Sequence, residues 1–301
     1  MNSSNKQAFL LLLGSQIENV GIKVQHASGD ADLPIVAAAL EIATKTSVTV
    51  VGEDTNLFVL LLNHYATTSH KEVYLFSNIS KKAWDIKKAK HMIGYDTCKA
   101  LLAIYALGGC DTTSRIHSLG VKTVLQIFLK NKEVRDLIEV LSTKESGKTK
   151  ILKAGERLLL ILLGGKKEKS LDELRSRKYY DKISGHTLQA VKPESLGPTT
   201  DAAQQHILRI HYQIIEWIGN STFEAVEWGW RLTSRGMMMP IEMTKEMAPA
   251  ELLKIIKCGC KTDCSRKNCT CKQYGVICTN MCNGCRGVSC LNCEEISNTD
   301  A

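Results

Sequence analysis

A dense group of cysteines is the part of the sequence best suited to chemistry. Ten of the twelve cysteines lie between Cys258 and Cys293, and the 257 residues before them hold only Cys98 and Cys110. So many thiols in one short segment predict either a metal–thiolate module or a set of disulfides. Nothing at the start of the chain resembles a secretory signal, and disulfides persist mainly in oxidising compartments. We therefore favour zinc over disulfides.

Coordination arithmetic gives two ways of filling this module with zinc. Three tetrahedral ions need twelve zinc–sulfur bonds, which nine thiolates supply only if three of them bridge two ions each. Eight cysteines can instead hold two separate ions. With three Zn²⁺ and nine thiolates the cluster carries −3, and the six basic residues and one acid between Lys257 and Cys293 add +5, which leaves about +2. The predicted zinc ligands are Cys258, Cys260, Cys264, Cys269, Cys271, Cys278, Cys282, Cys285 and Cys290, and Cys293 is left over.

Acidic residues form a second candidate site in the first part of the chain. Asp30 and Asp32 stand at a predicted strand-to-helix junction, and Asp111 lies just ahead of a predicted helix. Glu53, Asp54 and Asn56 follow the carboxyl end of the predicted strand Val48–Val51, where open α/β sheets bind ligands. Carboxylates gathered at one sheet edge repel each other unless a cation neutralises them, and oxygen ligands suit Mg²⁺ or Mn²⁺. Two such ions can activate a water for phosphodiester hydrolysis. The alternative is structural, because Asp30 and Asp111 could be helix N-caps and Asp54 an Asx-turn residue.

The elements that must position these acids alternate between helices and strands. The β-branched run Val48–Val51 predicts a strand, Leu57–Leu62 is a second apolar stretch, and Phe9, Leu13, Ile17 and Val20 lie on one face of the first helix. Strands interleaved with helices predict an α/β fold with a parallel sheet. The predicted helices cover 5–19, 32–43, 85–92, 96–107, 119–129 and 133–141, and the predicted strands 22–24, 48–51 and 73–76.

Beyond this first domain, assigned to 1–141, the sequence predicts three further segments. Residues 142–200 form a lysine-rich helical linker that ends in a hinge at Lys192–Asp201, where two prolines stand. Residues 201–257 form a connecting region that begins with a helix and contains Trp228-Gly229-Trp230, whose tryptophans we expect in the core. The cysteine-rich module occupies 258–293.

Composition favours a soluble intracellular protein with an anionic partner. The 301 residues are 44% hydrophobic and 23% charged, and the formal net charge is +8 with a pI near 8.8. A basic balance of this kind favours nucleic acid as the partner. The longest apolar runs, Phe9–Leu13 and Leu158–Leu163, are far shorter than the roughly 20 residues that a membrane helix needs. We expect DNA, branched or single-stranded, as the partner and the nucleus as the location.

The cysteine pattern resembles the tesmin-type CXC domain. Its two Cys-x-Cys pairs, the six-residue gap before Cys278 and the closing Cys290-Leu291-Asn292 match that family. In the family nine cysteines hold three zinc ions and the module binds DNA, which implies the same here, with Arg266 and Lys267 among the expected DNA contacts. The chain departs from the pattern in the spacing of Cys282 and Cys285 and in Asn268, where other members carry a tyrosine.

The acidic residues resemble the PIN-like nuclease superfamily in its flap-endonuclease branch. Matching segments are Asp30-Ala31-Asp32, Glu53-Asp54-Thr55-Asn56, Leu107-Gly108-Gly109-Cys110-Asp111 and Ser118-Leu119-Gly120-Val121-Lys122. The resemblance implies a PIN-like parallel-sheet domain, incomplete at its N-terminus, with a helical hairpin. Implied catalytic residues are Asp30, Asp32, Asp54 and Asp111, which bind Mg²⁺ or Mn²⁺ together with Asn56; implied contacts to a DNA phosphate are Arg115, Gly120 and Lys122.

Two departures bear on cleavage. Asn56 replaces an aspartate of the family and offers less charge to a divalent ion, and the family's first strand, with its metal-binding aspartate, does not occur in this sequence. The pairing of a flap-nuclease-like domain with a CXC-like module also resembles animal proteins derived from mobile elements. Three hypotheses follow: a zinc-containing DNA-binding protein derived from a nuclease, an active Mg²⁺- or Mn²⁺-dependent DNA nuclease, and a structural or chromatin-interaction protein with a zinc-folded tail.

Overall fold

The computed structural model is a mixed α/β protein, rich in helices, with a small sheet and a cysteine-rich cluster. It groups the chain into two compact units, Met1–Leu101 and Leu102–Ala301. The domain boundaries expected after residues 141, 200 and 257 stay predictions. The residues described are 3–27, 29–184, 191–219, 221–234, 236–243, 245, 256–261, 263–265, 268–279, 281–287 and 290–293.

The first unit is built from helices around a three-stranded sheet. Its helices α2 (Asp32–Ala43) and α3 (Thr55–His64) pack against each other, and α2 also packs on the strand β1 (Val48–Val51). Buried side chains of these elements, among them Leu60, Leu61 and Val73, form the core. The elements are α1 (Ser3–Asn19), α2 (Asp32–Ala43), β1 (Val48–Val51), α3 (Thr55–His64), β2 (Val73–Ser77), β3 (Lys82–Asp85) and α4 (Ile86–Ile93), and α5 (Tyr95–Gly108) begins here.

The sheet is mixed, whereas the sequence predicted a parallel one. β1 pairs with β2 in parallel, with Val50 opposite Leu75, and β3 pairs with β2 antiparallel, with Leu75 opposite Trp84. A short turn joins β2 to β3, and so short a connection forces the strands to run in opposite directions. The strand β3 was not predicted, because its four residues, Lys82–Asp85, are mostly exposed and show neither a β-branched run nor an alternation of apolar and polar residues. A PIN-like parallel-sheet fold is therefore not confirmed.

One prediction about the start of the chain is wrong, and its first helix is largely exposed. Residues Ile22–Val24 form no strand, because this segment folds back on α1: a Cβ at Gly14 would meet the side chains of Val24 and His26. The apolar face of α1 is not buried either, since Phe9 is 62% exposed and Val20 72% exposed. Among the described residues, no helix or strand packs extensively on α1. Apolar spacing alone thus did not decide burial.

The second unit is a group of packed helices followed by a short ribbon and the cysteine module. The helix α8 (Lys148–Leu162) packs on α7 (Lys132–Ser142) and on α10 (Thr200–Ile218). At the contact with α10, Gly155 lets Ile207 approach the α8 backbone. Trp228 is buried, as expected for a core residue, whereas Trp230 is only partly buried; Trp217 is buried as well. The elements are α6 (Val121–Lys130), α7 (Lys132–Ser142), α8 (Lys148–Leu162), α9 (Leu171–Ser184), α10 (Thr200–Ile218), β4 (Trp230–Leu232), β5 (Met238–Pro240) and α11 (Thr270–Gln273).

A buried arginine fixes the antiparallel ribbon of β4 and β5 to α10. The guanidinium of Arg209 donates to the carbonyls of Gly229 and Ile241, which lie side by side at the open end of the ribbon, just before β4 and just after β5. The Trp230 ring lies 5.9 Å from the same guanidinium. None of the helices in the described ranges is long and apolar enough to span a membrane.

Candidate metal centre and acidic cluster

The cysteine module 258–293 is held together mainly by its cysteines. Eight of the ten are buried, and Cys260 and Cys293 are partly buried. Its backbone makes close turns at two glycines: a Cβ at Gly284 would collide with the carbonyl oxygen of Cys260, and Gly287 has a φ of +65°. With only the short helix α11 among its described residues, the module has few apolar side chains with which to build a core.

Three groups of four cysteines bring their sulfurs together. Within each group all four sulfurs lie within 4.8 Å of one another, and every member is buried. The first group is Cys258, Cys264, Cys269 and Cys278; the second is Cys258, Cys278, Cys282 and Cys285; the third is Cys264, Cys278, Cys285 and Cys290. Four thiols at such distances are the ligand set of a structural zinc site.

The distances between sulfurs fit zinc better than disulfides. The Cys258 sulfur lies 3.7 Å from that of Cys264 and 3.8 Å from those of Cys278 and Cys285. A tetrahedron with zinc–sulfur bonds of about 2.3 Å has sulfur–sulfur edges of about 3.8 Å. A disulfide would place two sulfurs about 2.05 Å apart, and none of the twelve cysteines, all within the described ranges, forms a disulfide. The cluster can therefore hold zinc.

The three groups overlap in a way that implies bridging thiolates. Cys278 belongs to all three groups, and Cys258, Cys264 and Cys285 each belong to two. Two of the nine predicted ligands, Cys260 and Cys271, stand outside the groups. The Cys271 sulfur nevertheless lies 3.5 Å from that of Cys282. The overlap is compatible with bridging thiolates, whereas bridging itself and the number of ions stay predictions.

Burial makes these thiols hard to ionise without a cation. It raises the pKa of Cys258, Cys264 and Cys278, and it raises the pKa of Cys271 to about 12. Burial acts on Cys285 as well, but there the Gly287 N–H and neighbouring thiols outweigh it and lower the pKa to about 6. Since thiolates are the species that bind zinc, a bound cation would compensate the charge that burial disfavours.

An asparagine side chain contacts the sulfur that all three groups share. The Asn292 amide nitrogen Nδ2 donates to the Cys278 sulfur at 3.4 Å and to the Val276 carbonyl oxygen at 3.0 Å. The Cys278 backbone N–H in turn donates to the Asn292 carbonyl at 2.5 Å. In the sequence, Asn292 stands out only as part of a resemblance, since no spacing rule identifies a residue that contacts a metal ligand.

Basic residues surround the cysteine module. Lys261 and Arg286 are exposed and Lys257 is partly exposed. Lys272 is exposed along most of its side chain, while its ammonium group donates to the Ser265 carbonyl at 2.8 Å. The predicted DNA contacts Arg266 and Lys267 lie outside the described residues. Positive charge is thus available on the surface of the module.

The acidic cluster comprises Asp30, Asp32, Glu53, Asp54 and Asn56, and its carboxylates accept hydrogen bonds from other groups of the protein. Asp54 is the N-cap of α3 and accepts from the Asn56 backbone N–H at 2.8 Å, and Asp30 accepts from the Asp32 backbone N–H at 3.3 Å. The Asn56 side-chain amide donates to the Asp32 carboxylate at 2.9 Å. Within the part of the chain that the structure describes, no three carboxylates bring ligand atoms together as the cysteines do. Asp32, Asp54 and Asn56 do meet beyond the carboxyl end of β1.

The neighbouring Glu53 links the ends of two strands. It accepts hydrogen bonds from the Ser77 hydroxyl at 2.7 Å and from the Ile79 backbone N–H at 2.9 Å. These bonds hold the pKa of the Glu53 carboxyl below its usual range. Glu53 therefore ties the residues that follow β1 to the end of β2.

The remaining predicted site residues belong to the second unit. Asp111 is exposed in the loop after α5, and it caps no helix, because the N-cap of α6 is Gly120. The Arg115 guanidinium lies over Gly120, 3.0 Å from the place of a Cβ there, and Lys122 is exposed in the first turn of α6. Arg115, Gly120 and Lys122 thus lie close together, as a phosphate contact would require.

Comparison with known proteins adds no relative to these observations. The chain matches no model of a known protein family, no characterised protein and no solved structure. The resemblances to the CXC domain and to PIN-like nucleases therefore stay predictions. What the structure supports by itself is a mixed α/β chain with a cysteine cluster that can bind zinc.

Proposed function

We propose that this chain is a zinc-containing DNA-binding protein derived from a divalent-metal-dependent nuclease. The observation that carries the proposal is the set of three overlapping cysteine groups. Zinc bound there folds the module 258–293 and presents its basic residues to the phosphates of DNA. The CXC resemblance and the net charge of +8 support a nucleic-acid partner.

The acidic cluster supports binding without cleavage. A nuclease site of this kind needs carboxylates free to coordinate divalent ions. Here Asp30 and Asp54 accept backbone N–H groups, and an amide at Asn56 bonds to Asp32 where a second carboxylate would require a cation. These contacts favour a role for the first unit as a scaffold derived from a nuclease.

Metal content is the first measurement. Native mass spectrometry of the purified chain, before and after a chelator, should find bound zinc that the chelator removes. Zinc coordinated by nine thiolates predicts three ions, and separate four-cysteine sites predict two. A chain that carries no zinc after expression in zinc-containing medium would contradict the proposal.

Salt dependence tests the DNA contact. Anisotropy of labelled duplex, flap and single-stranded DNA should show affinity that falls steeply with salt. Replacing Lys257, Lys261 and Arg286 together by glutamine should reduce the slope of log K against log salt by about three, roughly one per lost phosphate contact. A matched control replaces Lys45, Lys71 and Lys87, exposed lysines of the first unit, and should leave the slope nearly unchanged.

The same DNA substrates separate the alternative functions. Cleavage that requires Mn²⁺ and is lost in Asp54→Asn would establish an active nuclease and overturn the scaffold role of the first unit. Absence of both binding and cleavage in the zinc-loaded chain would instead favour a structural or protein-interaction role. Binding without cleavage is the result we expect.

A further inference from the structure

The Cys278 sulfur differs from every other sulfur of the cysteine module. It is the only one shared by all three four-cysteine groups formed by the described residues. It lies 3.8 Å from the Cys258 sulfur and 3.9 Å from the Cys269 sulfur. A sulfur that is close to several ions must keep its lone pairs in fixed directions, so its orientation matters more than that of a terminal ligand.

Asn292 is placed to fix that orientation. Its amide nitrogen Nδ2 carries two hydrogens, and both have an acceptor, the Cys278 sulfur at 3.4 Å and the Val276 carbonyl at 3.0 Å. The backbone holds the side chain in place, because the Cys278 N–H donates to the Asn292 carbonyl and the Leu291 N–H donates to the Asp263 carbonyl at 2.7 Å. Asn292 is therefore held beside this sulfur by three hydrogen bonds, two donated by its side-chain amide and one accepted by its backbone carbonyl.

An N–H donor at a bridging thiolate has a definite chemical effect. It withdraws electron density from the sulfur and stabilises its negative charge, in the way that outer residues tune the ligands of other metal sites. We propose that Asn292 is a positioning residue for the metal centre, which orients the Cys278 thiolate and moderates its electron donation to the bound ions. This inference depends on the proposed zinc binding of the same module.

Cobalt substitution can test this role by a readout other than stability. Co²⁺ replaces Zn²⁺ at thiolate sites, and its sulfur-to-metal charge-transfer bands report how readily the thiolates donate electrons. In Asn292→Leu, which keeps the approximate size of the side chain and removes the N–H, these bands should move to longer wavelength. Zinc affinity, measured by competition with a chromophoric chelator, should fall about 10- to 100-fold, the usual cost of losing such a contact.

Two further variants control for folding. Asn292→Gln keeps an amide donor and should restore most of the band position, whereas Asn292→Asp keeps the size, lacks the donor and should resemble Asn292→Leu. Asn283→Leu replaces an exposed asparagine of the same module and should leave both measurements unchanged. If Asn292→Leu fails to fold, the comparison of Asn292→Asp with Asn292→Gln still decides.

The outcomes separate the inference from the function on which it depends. Charge-transfer bands at the same wavelength in wild type, Asn292→Leu and Asn292→Asp would overturn the positioning role, even if affinity fell, since a purely structural contact changes stability alone. A wild-type chain that binds neither Co²⁺ nor Zn²⁺ would instead overturn the proposed function itself.

Discussion

The cysteine module and the acidic cluster both contain residues that commonly bind metal ions, yet their surroundings differ. In the module the sulfurs contact mainly one another, and burial disfavours their charged forms. In the acidic cluster, Asp30, Asp54 and Glu53 each accept N–H or O–H groups of the protein. The sulfurs of the first region can together hold a cation, whereas the carboxylates of the second already accept hydrogen bonds from the protein. Residue type alone therefore does not identify a metal site.

Removal of zinc should show the difference between the two regions most clearly. Structural zinc sites contribute roughly 10–16 kcal/mol in small modules, so a chelator or Cys278→Ser should unfold the module while the helices of the second unit persist. NMR spectra should lose the dispersed signals of residues 256–293 and keep those of α7, α8 and α10.

Cys293→Ser provides the control for that substitution. Cys293 lies outside the three groups and its sulfur donates to the Cys290 carbonyl at 2.8 Å. We expect this variant to keep its zinc and its spectrum. A Cys278→Ser variant that retained full zinc content would contradict the central place of Cys278 in the cluster.

Replacing a closely packed glycine of the module should give the next largest effect. Gly284→Ala introduces a methyl group that collides with the carbonyl oxygen of Cys260, so the chain must shift by an amount that costs at least about 1–3 kcal/mol. Zinc transfer to a chelator should become faster. Gly259→Ala, where a Cβ meets no atom within 4 Å, should exchange zinc at the wild-type rate; equal rates in both variants would contradict the predicted packing.

Introducing a carboxylate at position 56 should make the stability of the acidic cluster depend on a cation. Asn56→Asp removes the amide that donates to Asp32 and places two carboxylates face to face, which should destabilise the chain by about 1–3 kcal/mol. Added Mn²⁺ should recover part of the lost stability in urea denaturation, because the cation reduces the repulsion between the two carboxylates.

Asn131→Asp is the matched control for that variant. Asn131 caps α7 by accepting the Val134 backbone N–H, a role that aspartate fills equally well. We expect nearly unchanged stability and no response to Mn²⁺. If Asn56→Asp behaved in the same way, the bond between Asn56 and Asp32 would not stabilise the wild-type protein.

The smallest effect should come from Glu53. Its pKa in the folded protein is lowered by the Ser77 hydroxyl and the Ile79 N–H, so its stabilising contribution is present above its unfolded pKa near 4.5 and is lost as the pH falls through the lower folded value. Glu53→Gln should therefore weaken the protein slightly at pH 7 and not at lower pH. Denaturation midpoints of the wild type and Glu53→Gln across this pH range test the prediction. A difference between them that does not change with pH would contradict it.

The sequence was most informative where a local pattern and the core agreed. The helix α2 and the strand β1 begin and end where predicted, since Pro34 lies in the first turn of α2 and the β-branched run of β1 supplies the buried Val50. The cysteine cluster followed from spacing alone. In contrast, the four residues of β3 lack an alternating or β-branched pattern, and the spacing of apolar residues in α1 did not reveal that they are exposed.

The candidate sites depended more on tertiary contacts than on spacing. That Asn56 donates to Asp32, 24 residues away, and that Asn292 contacts the sulfur shared by three groups are facts of packing. The resemblance to a nuclease suggested a common site for four aspartates, whereas the hydrogen bonds show Asp54 as the N-cap of α3 and Asp30 as an acceptor for the Asp32 backbone N–H. Sequence proposes the candidates, and hydrogen-bond partners distinguish between them.

The overlap of the cysteine groups has a consequence for how metal would be loaded. Any two groups share two cysteines, Cys278 always among them. The first ion to bind would therefore order half of the ligands of each remaining site, so later ions would meet a preformed pair of thiolates and lose less conformational entropy. Loading should then be cooperative, and at substoichiometric zinc the population should divide between empty and fully loaded molecules.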